Sequence, residues 1–231
     1  MQVTVLGKYG PYGKPGEGAA SGYLVEDKDF RLLLDMGSGV LTRLLAKTDV
    51  KDLDGIFISH LHYDHTSDLL PFRYALDECG VKVKIYTEKQ DDEWYKILFG
   101  HPLFEVVNIK DGETIEIKSK KITFFRMKHP SPDLAIKIES DTGVLAYTGD
   151  TVFNENLYPL LNGTDLAIVD CSKPAHFIGG HMPATMAEKL KKETTVKTIL
   201  ASHAAPDFNP KGVFEGMSGV VFAEEGVTYK I

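Results

Sequence analysis

The sequence predicts an α/β protein in which two sheets are sandwiched between helical layers, and three observations carry that expectation. Strand-like and helical patterns alternate along both halves of the chain. The 231 residues, 43% of them hydrophobic, suffice for one layered domain, 1–231, with a sizeable core, and no long loop or low-complexity linker divides them. The residues with chemistry to offer recur directly after strand-like segments, where ligands collect in layered α/β domains.

Taken in order, residues 1–7 read as a strand, with neither a basic leader nor an apolar stretch long enough for a signal peptide or membrane span. A cytoplasmic protein is expected. Residues 8–18 have the Gly and Pro density of a surface loop. Leu32-Leu33-Leu34-Asp35-Met36-Gly37-Ser38-Gly39 is a strand running into a glycine-rich turn. Helical patterns are expected at about 40–47, 66–79, 89–99 and 184–194. Segments 121–128, 143–149, 165–169 and 197–202 read as strands, and 134–139 pairs with 143–149 as a hairpin. Cys79 and Cys171 lie far apart and outside any CxxC, which fits a reducing compartment without disulfides.

The apolar run 55–59 leads into Ser59-His60-Leu61-His62-Tyr63-Asp64-His65, three imidazoles and a carboxylate within six positions. His60 and His62, two apart, project to the same side while the backbone stays extended, and Asp64 and His65 follow as the chain turns toward a helix. One pair suits one metal ion and the next pair its neighbour. Imidazole and carboxylate together suit zinc first, with manganese or iron as alternatives, whereas calcium or magnesium would want oxygen donors almost throughout. Chance would produce this spacing in about one chain in a thousand of this length. Three further candidates follow strands downstream: His129, Asp150 and His203.

These residues resemble the metallo-β-lactamase superfamily, whose signature positions would be Asp35, the cluster from His60 to His65, His129, Asp150 and His203. The resemblance covers nearly the whole chain and implies the four-layer αβ/βα sandwich. It implies that His60, His62 and His129 hold a first metal, that Asp64, His65 and His203 hold a second, that Asp150 bridges both, and that Asp35 supports them from behind. Asp150 stands where the β-lactamases carry Cys, and His62 stands where diiron members carry Glu, so hydrolysis other than that of β-lactams is implied.

Within the superfamily the chain is most similar to ribonuclease Z and related phosphodiesterases, through the turn at 32–39 and through Gly179-Gly180-His181-Met182-Pro183-Ala184-Thr185. His181 is then the candidate general acid for the leaving oxygen, with Asp170 to orient it and Asp64 beside the reacting centre. Gly179 and Gly180 offer backbone N–H groups to a phosphate, and Tyr9 or Tyr12 offers a ring to a nucleobase. Only 20 residues, 130–149, separate His129 from Asp150, and the hairpin consumes them, so the arm by which some relatives grip tRNA has no room. A net charge of −7, from 26 Lys+Arg against 33 Asp+Glu, is the wrong sign for many phosphate contacts, and the basic runs 118–121 and 189–192 read as solvated faces. The expected substrate is a small or cyclic nucleotide-type phosphodiester attacked by a metal-bridged hydroxide, in a protein that the resemblance expects to pair as a homodimer. Thioester or lactone hydrolysis by the same centre and a non-catalytic metal- or nucleic-acid-binding module are the alternatives.

Overall fold

A computed structural model of the chain describes residues 1–174 and 179–231. The fold divides into two compact units: residues 2–109 with 225–230, and residues 110–224 with the two chain ends.

In the first unit, β1 (Gln2–Gly7), β2 (Gly22–Asp27) and β3 (Phe30–Leu34) run antiparallel, and β4 (Gly55–Phe57), β5 (Val83–Thr87) and β6 (Phe104–Asn108) then add in parallel beyond β3. The last strand of the chain, Thr228–Lys230, pairs with the outer side of β1. Leu32, Leu33, Leu34, Ile56 and Phe57 are all fully buried, as strands covered on both faces require. The helices α1 (Val40–Leu45), α2 (Tyr63–Thr66), α3 (Leu69–Cys79) and α4 (Glu93–Phe99) connect these strands. Val40, Leu44, Leu69, Phe72, Leu76 and Leu98 join Leu24, Leu33, Ile56 and Ile85 in one core.

The helix expected over 66–79 is two helices. The chain breaks at Ser67-Asp68 because Asp68 donates its own N–H to Met36 O at 3.0 Å while its side chain accepts from Leu41 N at 2.8 Å. The helix expected from residue 89 starts at Glu93, since the Asp92 side chain caps it by accepting from Tyr95 N at 2.7 Å.

The second unit has the same order of pairings. Strands β7 (Thr114–Ile117), β8 (Lys120–Met127), β9 (Asp133–Ser140) and β10 (Gly143–Tyr147) are antiparallel, and β11 (Leu166–Asp170), β12 (Thr198–Ser202) and β13 (Val220–Phe222) continue in parallel. The expected hairpin after His129 is β9 with β10. Helices α5 (Leu157–Leu161) and α6 (Ala184–Glu193) bury Leu157, Leu160, Ala187 and Leu190 with Ala167, Val169 and Ile199. Lys120 corrects the reading of 118–121 as wholly solvated: it opens β8 on an inward position, is fully buried, and its ammonium donates to Ser119 Oγ at 3.0 Å.

In both units the chemistry-bearing residues leave the carboxyl ends of strands, where open α/β sheets place their ligands. Asp35 follows β3 and His60 lies just beyond β4; His129 and Asp150 lie just beyond β8 and β10, Asp170 ends β11, and His203 follows β12. Among the described residues, no helix is long and apolar enough to cross a membrane.

Candidate metal centre

The donors of the first unit are organised by Asp35. It is fully buried and sits at φ 56°, a left-handed conformation that costs a non-glycine residue energy and recurs at functional sites. Its Oδ1 accepts the Ser59 N–H at 2.8 Å, and its Oδ2 accepts the Ser59 hydroxyl at 2.8 Å and His65 Nδ1–H at 2.6 Å. Ser59 has then spent its one hydroxyl proton, so at 3.1 Å its Oγ accepts from His60 Nδ1. Both imidazoles are thereby fixed with Nδ1 as the donor and the Nε2 lone pair turned the other way, the arrangement that metal-binding histidines need. His60 Nε2 faces His62 Nδ1 at 2.9 Å, a pair of ring nitrogens that one shared proton or one cation satisfies, and His65 Nε2 lies 3.6 Å from Asp64 Oδ2. Gly37 lets the turn after Asp35 close on this motif, because a Cβ there would sit 1.9 Å from the Asp64 carbonyl oxygen.

The second unit builds its donors around Asp150. His129 Nδ1–H donates to Gly180 O at 3.0 Å, which leaves Nε2 4.0 Å from Asp150 Oδ2. A Cβ on Gly180 would come within 2.8 Å of that Nδ1, so the glycine serves the close approach to His129 through its carbonyl. His203, also left-handed at φ 56°, places Nε2 3.3 Å from Asp150 Oδ1 and Nδ1 3.8 Å from Asp170 Oδ1. Asp170 Oδ2 accepts Thr151 N–H at 2.9 Å and His181 Nδ1–H at 3.0 Å, and His181 stacks on His203 with centroids 4.8 Å apart. Asp150, Asp170, His181 and His203 thus each bring one donor atom within 4.8 Å of the others. Burial pushes the His181 imidazole toward its neutral form, but the hydrogen bond and charge of Asp170, with Asp150 behind it, leave its pKa above the ordinary value. Desolvation holds the fully buried Asp170 carboxyl above its usual range, against the opposing pull of His181.

Two supporting residues carry no signal in the sequence. Ser59 is one, joining Asp35 to His60. Asp133 is the other: fully buried at the start of β9, it accepts the Asp150 N–H at 3.1 Å. A lone Ser or Asp at a strand end is ordinary, and only the fold shows what it touches. The two tyrosines offered as nucleobase platforms differ. Tyr9 is buried, with its hydroxyl donating to Glu17 at 3.2 Å and its pKa pushed up to about 12, mainly by burial, so it cannot present a ring to a ligand; Tyr12 is exposed.

The donor set fits divalent ions. Nitrogen lone pairs and carboxylate oxygens converge within each unit, and the far nitrogens of His60, His65 and His129 are held by Ser59, Asp35 and Gly180.

The family model described as Beta-lactamase superfamily domain matches residues 30–204. The probable metallo-hydrolase YhfI of Bacillus subtilis is 30% identical over 212 residues, covering 88% of this chain and 86% of its own. The crystal structure of that metallo-beta-lactamase fold protein superposes with a TM-score of 0.93 at 26% identity, over 100% of this chain and 98% of the other. A ribonuclease Z of Archaeoglobus fulgidus is 23% identical over 78% of this chain and 79% of its own. A diphosphatase from the PhnP family shares the fold at a TM-score of 0.80 and 18% identity, over 100% of this chain and 97% of its own. The chain belongs to the beta-lactamase superfamily and has its αβ/βα metallo-β-lactamase fold.

Proposed function

We propose that the chain is a metal-dependent hydrolase of small, nucleotide-type phosphodiesters, and the observation that carries this reading is the His181–Asp170 pair beside Asp150. The candidate donors are His60, His62, Asp64 and His65 in the first unit and His129, Asp150 and His203 in the second; they would hold divalent ions, with zinc the first choice for such a donor set. When bound, two divalent ions supply Lewis acidity and a water that ionises near neutral pH.

The remaining work falls to the protein. His181 Nδ1 is committed to Asp170, so Nε2 is the atom that gives a proton to the departing oxygen. Asp170 is itself fixed by Thr151 N–H, and its negative charge balances the imidazolium before transfer. An alkoxide leaving from phosphorus needs that proton, whereas a thiolate does not. The net charge of −7 favours a small substrate over a polynucleotide, and the likeness to ribonuclease Z and to a diphosphatase supports chemistry at phosphorus.

Initial rates of the metal-reconstituted protein on a cyclic mononucleotide, a thioester and a lactone test this, with His181→Ala and Asp150→Ala in parallel. Cyclic nucleotide hydrolysis should fall about 10²–10⁴-fold in His181→Ala and to background in Asp150→Ala. Thioester or lactone turnover with no diester cleavage, the thioester turnover left intact by His181→Ala, would replace this reading by the ester hydrolase.

A further inference from the structure

Tyr63 stands inside the donor motif, between His62 and Asp64, yet does none of its inward work. In α2 the buried residues are Asp64, His65 and Thr66, while Tyr63 is 68% exposed. A phenol this exposed at the first position of a four-residue helix gains little from burial, so most of its ring surface is open to another use.

The ring is also held. It packs against Trp94 in a T-shaped arrangement, with centroids 4.9 Å apart and an interplanar angle of 81°, a favourable aromatic geometry. Trp94 is the single tryptophan of the chain, half-buried against the core of the first unit. Its indole N–H donates to Leu61 O at 3.0 Å, a carbonyl between His60 and His62. One aromatic pair is thus anchored to the backbone of the donor motif, with Tyr63 a single Cα step of about 3.8 Å from a candidate ligand on either side.

We propose that Tyr63, backed by Trp94, is a base-binding subsite: it receives the flat ring of a nucleobase while the phosphate is held by the motif donors. This rests on the phosphodiesterase reading and deepens it by naming the recognised half of the substrate. A stacking platform suits the task because every base presents a π-face, and because a ring already fixed by its neighbour loses little freedom on binding. The negative net charge of the chain does not oppose it, since stacking needs no cationic track.

Calorimetric titration of the zinc-loaded protein with AMP and with ribose 5-phosphate isolates the base, the two ligands sharing sugar and phosphate. AMP should bind about tenfold more tightly than ribose 5-phosphate. Tyr63→Phe should keep that preference and Tyr63→Ala should erase it. Equal affinities in the wild type, or a preference that survives Tyr63→Ala, would overturn the proposal. Cyclic nucleotide hydrolysis by the same preparations reads the underlying activity separately. A preference lost in Tyr63→Ala supports the subsite even in a protein that leaves the diester uncleaved, and its absence overturns the subsite even in one that cleaves it.

Discussion

Asp35 shows how one side chain prepares several others. Its two carboxylate oxygens accept three donors, from the Ser59 backbone, the Ser59 hydroxyl and His65, and through Ser59 they set the tautomer of His60 as well. Asp35→Ala would strand those donors in a buried space, each at a cost of about 1–3 kcal/mol, and would release both imidazoles to rotate. Zinc affinity measured by chelator competition should fall about 10–100-fold, as loss of such supporting contacts does elsewhere; unchanged affinity would mean that the histidines orient themselves. At this scale the sequence is legible where ligands crowd one motif. From His60 to His65 the spacing alone suggests metals, because an extended backbone and a following turn dictate which side chains converge. Ser59, Asp133 and the carbonyl of Gly180 are illegible, since each acts on a residue that the fold delivers from elsewhere, with sequence separations from 17 to 51 for Asp133 and Gly180.

At the scale of elements, the first unit's donors divide between the loop after β4, with His60 and His62, and the short α2, with Asp64 and His65, and a side chain fixes the start of α4. Asp92 caps α4, the helix that bears Trp94. Asp92→Ala should lower stability by about 1 kcal/mol, the usual worth of an N-cap, read as a lower urea midpoint at constant m-value; an unmoved midpoint would show that packing of Leu98 and Phe99 alone defines the helix. That cap is local, in Asp91-Asp92-Glu93, yet the helical pattern places the start four residues early, at 89, because periodicity alone does not mark the capping residue. The break between α2 and α3 cannot be read locally, because Asp68 makes its decisive bond to Leu41, 27 residues earlier. Strands β5 and β7 interleave charges such as Lys84 and Glu116 with apolar residues and announce themselves weakly, whereas the uninterrupted Leu32-Leu33-Leu34 and Gly55-Ile56-Phe57 are unmistakable. Lys120 reads as a solvated charge for the same reason that Ser59 reads as nothing: its burial is decided by the register of β8 against its neighbours.

For the whole molecule, the αβ/βα fold was readable because two independent patterns agree: strand and helix signals alternate, and donors recur at strand ends in the order that the superfamily uses. A chain that keeps this many donors preformed should be stabilised by what they hold. Ions at a hundred times their dissociation constant add about 2.7 kcal/mol to the folded state, which for a chain of this size is about 5–10 °C in Tm. Dialysis against chelator should lower Tm by that amount and zinc should restore it; a Tm indifferent to both would contradict a resident metal centre. The most direct test of the central claim, that His181 protonates the oxygen leaving phosphorus, is the dependence of rate on the leaving group. Wild type and His181→Ala would be compared on phosphodiesters whose leaving groups run from p-nitrophenol through phenol to a simple alcohol. The deficit of His181→Ala should widen steadily as the leaving group becomes more basic; a deficit equal across the series would show that His181 does not deliver the proton.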